Sequence, residues 1–186
     1  KDVYDQLIAD PTRAALGGAR RNMTVLFSDV RGFTAMSEKG TPEAVVGQLN
    51  EYFTRMVHVV FEHEGTLDKF VGDMVMALYG APLDDPDHAE HAVQTALAMC
   101  TALNELNVKW SAEGRPNLDI GIGINTGAAM VGVLGSERYS EYTALGEAVN
   151  LASRVEGFSL RGQVLAAEGV VVQARRAPLE ERADHH

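Results

Sequence analysis

The chain has 186 residues, 46% of them apolar, and carries 16 basic and 26 acidic side chains for a formal charge of −10. That length supports one domain with a full core, and the acidic balance excludes wrapping a nucleic-acid duplex, though not binding one nucleotide neutralised by a metal and a few local cations. The single cysteine, Cys100, excludes an internal disulfide, and with no membrane-length apolar run and no signal-peptide pattern the expected location is cytoplasmic.

Residues 1–20 read as a helical connector from an upstream region. Val3, Leu7 and Ile8 share a face, then Pro11 and Gly17-Gly18 break it. Any membrane attachment is expected only through such upstream regions. Residues 21–177 read as one folded domain, and 178–186 as a tail whose His185–His186 end looks like a tag remnant. Within the domain, "NMTVLFSD" (22–29) is an apolar, β-branched interior strand, followed by a short helical turn in "RGFTAMSEKG". A long helix comes next, with Thr41 as N-cap, Pro42 in its first turn and Gly65 past its end. Its apolar stripe is Val45, Leu49, Tyr52, Met56, Val59 and Val60.

"TLDKFVGDMVMALYG" (66–80) is a hairpin turning at Gly72-Asp73, the reverse of the usual Asp-Gly order. A second long helix starts near Asp85-Pro86 and ends at Gly114, with Val93, Ala96, Leu97, Cys100, Leu103 and Trp110 facing inward. "LDIGIGINTGAAMVGVLG" reads as a second hairpin turning at "NTG". Its glycines strip one strand face for close approach of another backbone, such as one across a dimer interface. A third helix, "LGEAVNLASRVEG", and a strand, "GQVLAA", complete the order β-α-β-β-α-β-β-α-β. The fold class expected is α+β: a ferredoxin-like βαββαβ core extended at its C-terminal end, an antiparallel sheet with helices packed on one face.

Asp29 ends the first strand and Asp73 tips the first hairpin, which this fold places side by side. An aspartate in a turn needs no more than turn chemistry to explain it. Two that converge repel, and a cation such as magnesium or manganese relieves the repulsion. Exposed N–H groups from Gly32 to Thr34 could hold phosphate oxygens, as could any helix start. There is no Walker loop and no dinucleotide fingerprint. Asn150 and Arg154 share a helix face, either as a solvated stripe or as a pair suited to charge on a phosphoryl group. His88 and His91, with Asp87 and Glu90, are poorly spaced for zinc and read as solvated surface.

"FSDVRGFT", "GTLDKFVGDMVMALYG" and "GEAVNLASRVEG", in this order and spacing, resemble the catalytic domain of class III adenylyl cyclases of bacterial type. The resemblance covers roughly residues 20 to 168. It implies that Asp29, Asp73 and the Val30 backbone carbonyl hold two divalent cations, Mg or Mn. It further implies that Gly32, Phe33 and Thr34 cradle the β- and γ-phosphates, that Lys69 and Thr143 read the purine, and that Asn150 and Arg154 stabilise the transition state. The implied reaction is in-line attack of the ATP ribose 3′-hydroxyl on the α-phosphate, giving 3′,5′-cyclic AMP and pyrophosphate. The implied assembly is a head-to-tail homodimer, one copy giving the aspartates and the other Lys69, Thr143, Asn150 and Arg154. Guanylyl cyclases resemble this pattern but carry an acidic residue at the Lys69 position, so ATP is the expected substrate. The alternatives are a guanylyl cyclase, or a silent cyclase-like module for dimerisation or nucleotide binding. One departure stands out: the family's late lysine-bearing hairpin has no match after "GQVLAA".

Overall fold

The structure, a computed structural model, describes residues 16–174. Its six-stranded sheet has the order β2-β3-β1-β4-β5, with β6 beside β4. The central pair is β1 (Gly17–Arg31) and β4 (Asp119–Gly135), antiparallel from Gly17 opposite Val133 to Arg31 opposite Asp119. On its other side β1 pairs with β3 (Met74–Tyr79), which pairs with β2 (Thr66–Val71). The C-terminal half of β4 pairs with β5 (Ser140–Leu145), and its N-terminal half with a parallel β6 (Val164–Ala166). This is the expected ferredoxin-like core with its C-terminal extension.

Two strand boundaries differ from expectation. The first strand begins at Gly17, not Asn22, because β4 is long enough to pair with the extra residues. Residues 119–135 form one strand instead of a hairpin. The turn-type residues at its middle have tertiary partners that hold them extended: Asn125 Nδ2 donates to the Ala148 carbonyl at 2.8 Å, and Thr126 Oγ1 lies 2.6 Å from Thr24 Oγ1. The chain reverses later, where the Ser136 N–H donates to the Tyr139 carbonyl at 2.7 Å.

Strand alternation sends side chains to two cores. Leu26, Val30, Val75, Ala77, Tyr79, Ile120, Ile122 and Ile124 face α2 (Pro42–Glu62), α3 (His88–Ala112) and α5 (Glu168–Ala174), a helix the sequence did not announce. A fully buried isoleucine such as Ile122 contributes about 1.5–3 kcal/mol. Met23, Val25, Phe27, Met76 and Leu78 face Val149 and Ala152 of α4 (Glu147–Phe158) on the opposite side. Helices therefore cover both faces, not one. The bare glycines of β4 explain α4's close seat: a Cβ on Gly123 would overlap the Glu156 backbone, so the approaching backbone belongs to this chain and not to a dimer partner.

Thr41 caps α2 as expected, its Oγ1 accepting from the Ala44 N–H at 3.3 Å, with Pro42 as the first helical residue. The helix exit is different. Glu64, at φ 60°, takes the left-handed turn, while Gly65 is needed for space, since a Cβ there would sit 2.7 Å from Tyr79 and Val60. In α3, Leu97 is 58% exposed and Met99 and Ala102 take the inward positions. Gly114, at φ 71°, ends that helix. Of the expected connector, 1–20, residues 1–15 lie outside the described residues and 17–20 belong to β1; the expected tail, 178–186, also lies outside the described residues. Among the described residues no helix is long and apolar enough to cross a membrane.

Candidate active site

The acidic end of the sheet is built by register. Ser28 pairs with Val75, so Asp29 follows on β1 just where the hairpin tip delivers Asp73. Only Gly72 of the two tip residues has positive φ, 62°, so the reversed Gly-Asp order gives the strained position to glycine and the ordinary one to the aspartate. The two carboxylates feel each other. Burial first, then the charges of Asp73 and Glu156, push Asp29 up from 3.8 to about 6 against the opposing pull of Arg31. Beneath them Tyr52 is fully buried, and burial raises its hydroxyl pKa well above the ordinary value.

Arg31 was not anticipated. Its Nη1 donates to Asp29 Oδ2 at 3.2 Å, while Nη2 lies 2.5 Å from Glu156 Oε1 and 2.7 Å from Ser159 Oγ. Glu156 is 6% exposed, so the guanidinium clasps the end of β1 to the end of α4. Val30, 4% exposed, sits between Asp29 and Arg31 in β1. Two carboxylates, one made reluctant to ionise first by burial and then by the other's charge, are a donor set that suits a hard divalent cation. Among the described residues no cluster of three or more His, Cys, Asp or Glu side chains forms. A cation held there would complete its shell from backbone, water and substrate oxygens, as magnesium commonly does.

After Arg31 the chain turns at Gly32, φ 74°, into α1 (Phe33–Lys39). Among the described residues no side chain caps this helix, so its first N–H groups are left open by them. Phe33 packs against the core and holds the turn in place, while Thr34 is exposed.

Lys69 and Thr143 start from β2 and β5 and come together through their neighbours. Lys69 Nζ donates to Glu141 Oε1 at 2.5 Å, and Thr143 Oγ1 donates to Asp68 Oδ2 at 2.6 Å. Burial pulls the Lys69 pKa down, but the Glu141 and Asp68 carboxylates together outweigh it and raise the pKa, so the ammonium stays charged. Asp68 and Glu141 were missed because neither carries a local signal.

Asn150 and Arg154 project from the exposed side of α4, and neither side chain has a hydrogen-bond partner among the described residues. Glu156, two residues on and so roughly opposite around the helix, is the one turned toward Arg31 and Asp29. The structure thus brings Asp29 to Asp73 and Lys69 to Thr143, and leaves Asn150 and Arg154 exposed on α4.

The histidines are not solvated surface. His88 is 4% exposed, its Nδ1 2.7 Å from Thr24 Oγ1, because Gly80 leaves room for the ring. His91 Nδ1 bonds Asp85 Oδ2 at 2.7 Å and fastens the start of α3.

The site thus combines paired carboxylates at one strand end of a ferredoxin-like sheet, an open helix start beside them and a lysine–threonine pair. Comparison with known proteins gives the family. The family model "Adenylate and Guanylate cyclase catalytic domain" matches residues 18–182, and the chain belongs to that family. Adenylate cyclase 1 of Rhizobium meliloti (strain 1021) is 42% identical over 158 residues, which are 84% of this chain and 24% of that protein. The chain therefore spans about a quarter of that relative's length. Among solved structures, the guanylyl cyclase Cya2 is 43% identical with a TM-score of 0.82, covering 86% of this chain and 81% of that one. The adenylyl cyclase CyaB from P. aeruginosa is 38% identical with a TM-score of 0.83, covering 87% and 84%.

Proposed function

We propose that this chain is the catalytic part of an adenylyl cyclase, converting ATP to 3′,5′-cyclic AMP and pyrophosphate at sites shared by two head-to-tail copies. Overall likeness does not choose the purine, since one neighbour is named a guanylyl and the other an adenylyl cyclase. Lys69 carries the choice. An ammonium donates and cannot accept, which suits N1 of adenine and opposes the N1–H of guanine.

Each remaining residue has a role the geometry supports. The open N–H groups at Gly32, Phe33 and Thr34 hold the β- and γ-phosphates. Asn150 orients the ribose and Arg154 meets negative charge developing on the α-phosphate. When bound, two divalent cations at Asp29, Asp73 and the Val30 carbonyl supply Lewis acidity toward the 3′-hydroxyl and neutralise the triphosphate. Sharing between copies is supported by α4, which turns Glu156 inward and Arg154 outward, so the arginine is free to serve a second chain's aspartates. The catalytic domain is read as residues 21–177, and the residues before β1 as part of a connector from an upstream region.

The test is turnover of ATP and GTP with manganese at rising protein concentration. Cyclic AMP formation with specific activity that climbs with concentration is expected, and Asp73→Ala should remove at least about a hundredfold of the rate. Lys69→Glu should shift preference toward GTP. Activity independent of concentration would refute the shared site, and full activity in Asp73→Ala would refute the metal assignment.

A further inference from the structure

A hydroxyl can donate to a base or accept from it, so Thr143 by itself expresses no preference between adenine and guanine. Its neighbour removes that freedom. Asp68 is the extra residue of a bulge in β2: Leu67 pairs with Ala77 and Lys69 with Met76, leaving Asp68 without an opposite number. A bulge re-aims side chains. Here it lets two successive residues reach the same strand, with Asp68 on Thr143 and Lys69 on Glu141. The Asp68 side chain has no solvent exposure. Its Oδ2 takes the Thr143 proton at 2.6 Å, the length of a hydroxyl donating to an ionised carboxylate. Among the described residues its Oδ1 has no hydrogen-bond partner, and it lies 3.7 Å from Lys69 Nζ. A dry carboxylate with one oxygen lacking a hydrogen bond is a costly way merely to fasten β2 to β5. What it supplies that an amide would not is a fixed direction for the Thr143 proton.

We propose that Asp68 is a positioning residue for purine selection. By holding the Thr143 proton it leaves only lone pairs on that oxygen for the base. Thr143 then accepts from the 6-amino group of adenine and repels the 6-oxo group of guanine. The neighbouring Lys69 donates to N1, so the pair presents one donor and one acceptor in the order that matches the adenine edge. This rests on the purine-binding role proposed above for Lys69 and Thr143.

The experiment compares kcat/KM for ATP with that for purine riboside triphosphate, which lacks only the 6-amino group, and for GTP. Both comparisons are made in the wild-type protein, Asp68→Asn, Thr143→Ala and the double variant. Each ratio is taken on one preparation, so it does not depend on how much of a variant folds. Wild type should favour ATP over the des-amino analogue by about tenfold, the worth of one hydrogen bond. In Asp68→Asn the amide can donate to Thr143 and turn its proton toward the base. The preference should fall to about twofold or less, and GTP should gain on ATP. In the Thr143→Ala background the Asp68→Asn change should leave the ratio where it was. Persistence of the full preference in Asp68→Asn overturns the proposal alone, as does an equal effect of Asp68→Asn in both backgrounds. A wild-type protein indifferent to the 6-amino group overturns the purine reading and this proposal with it.

Discussion

Replacing Asp29 with asparagine should remove catalysis and yet stabilise the metal-free fold. The carboxyl sits at about 6 in the folded chain against an ordinary 3.8, raised chiefly by burial and then by Asp73 and Glu156. A carboxyl raised in the fold binds its proton more tightly there than in the unfolded chain, so its ionisation works against folding. The penalty is absent below pH 3.8, grows between 3.8 and about 6, and is complete above about 6. That gap corresponds to about 3 kcal/mol. The side chain is 30% exposed, so solvent screening reduces the figure to about 1–2 kcal/mol. For a domain of this size the asparagine variant should melt about 3–6 °C higher at pH 8 in the presence of a chelator. The advantage should shrink on titration to pH 5 and be gone near pH 3.8. Added manganese should then raise the melting temperature of the wild type and leave Asp29→Asn unmoved, since the variant lacks the charge that a cation would neutralise. Scanning calorimetry or dye-monitored melting across that pH series decides it. An asparagine variant that melts lower than wild type at pH 8, or a difference that does not change with pH, would refute the electrostatic account of this strand end.

Two further outcomes follow from packing and burial. Gly123→Ala drives a methyl group into the Glu156 backbone, so it should cost about 3 kcal/mol by urea denaturation, with a wild-type midpoint counting against the seat assigned to α4. Burial holds the His88 pKa below its ordinary 6.5, so the unfolded chain takes that proton first and the fold loses stability as pH falls through about 6.5. His88→Gln, which can still meet Thr24, should therefore lose less stability than wild type between pH 7.5 and 5.5, and an equal loss would show that the imidazole is not the group responsible.

What was legible in the sequence is what local chemistry determines. The Thr41-Pro42 cap, the Gly72-Asp73 tip and the apolar interior run of β1 each depend on residues within a few positions of one another, and all three are found. The convergence of Asp29 and Asp73 followed from topology once the hairpin was recognised. The hairpin expected at Asn125–Gly127 failed for the converse reason. Those residues favour a turn only while their polar groups lack partners, and here Asn125 and Thr126 find them on Ala148 and Thr24, 23 and 102 positions away. The bare glycines likewise pointed to close approach of another backbone, and at Gly123 that backbone is α4 of the same chain, not the dimer interface that the pattern also allowed, because pattern alone does not say which helix arrives.

The charged pairs were beyond that kind of reading for a deeper reason. Arg31 and Glu156 are 125 positions apart, and each looks like an ordinary surface charge until the register of β1 and the seat of α4 bring them to 2.5 Å. Asp68 is harder still. In a regular strand, successive side chains point to opposite faces, so an Asp-Lys pair would be assigned one inward and one outward partner. The bulge cancels that rule over one residue, and both side chains reach β5. Without it, Asp68 would point away from Thr143 and the threonine proton would be free to follow whichever base was bound. The selectivity proposed for this site therefore depends less on which residues occur in "TLDK" than on one unpaired position in the strand that carries them.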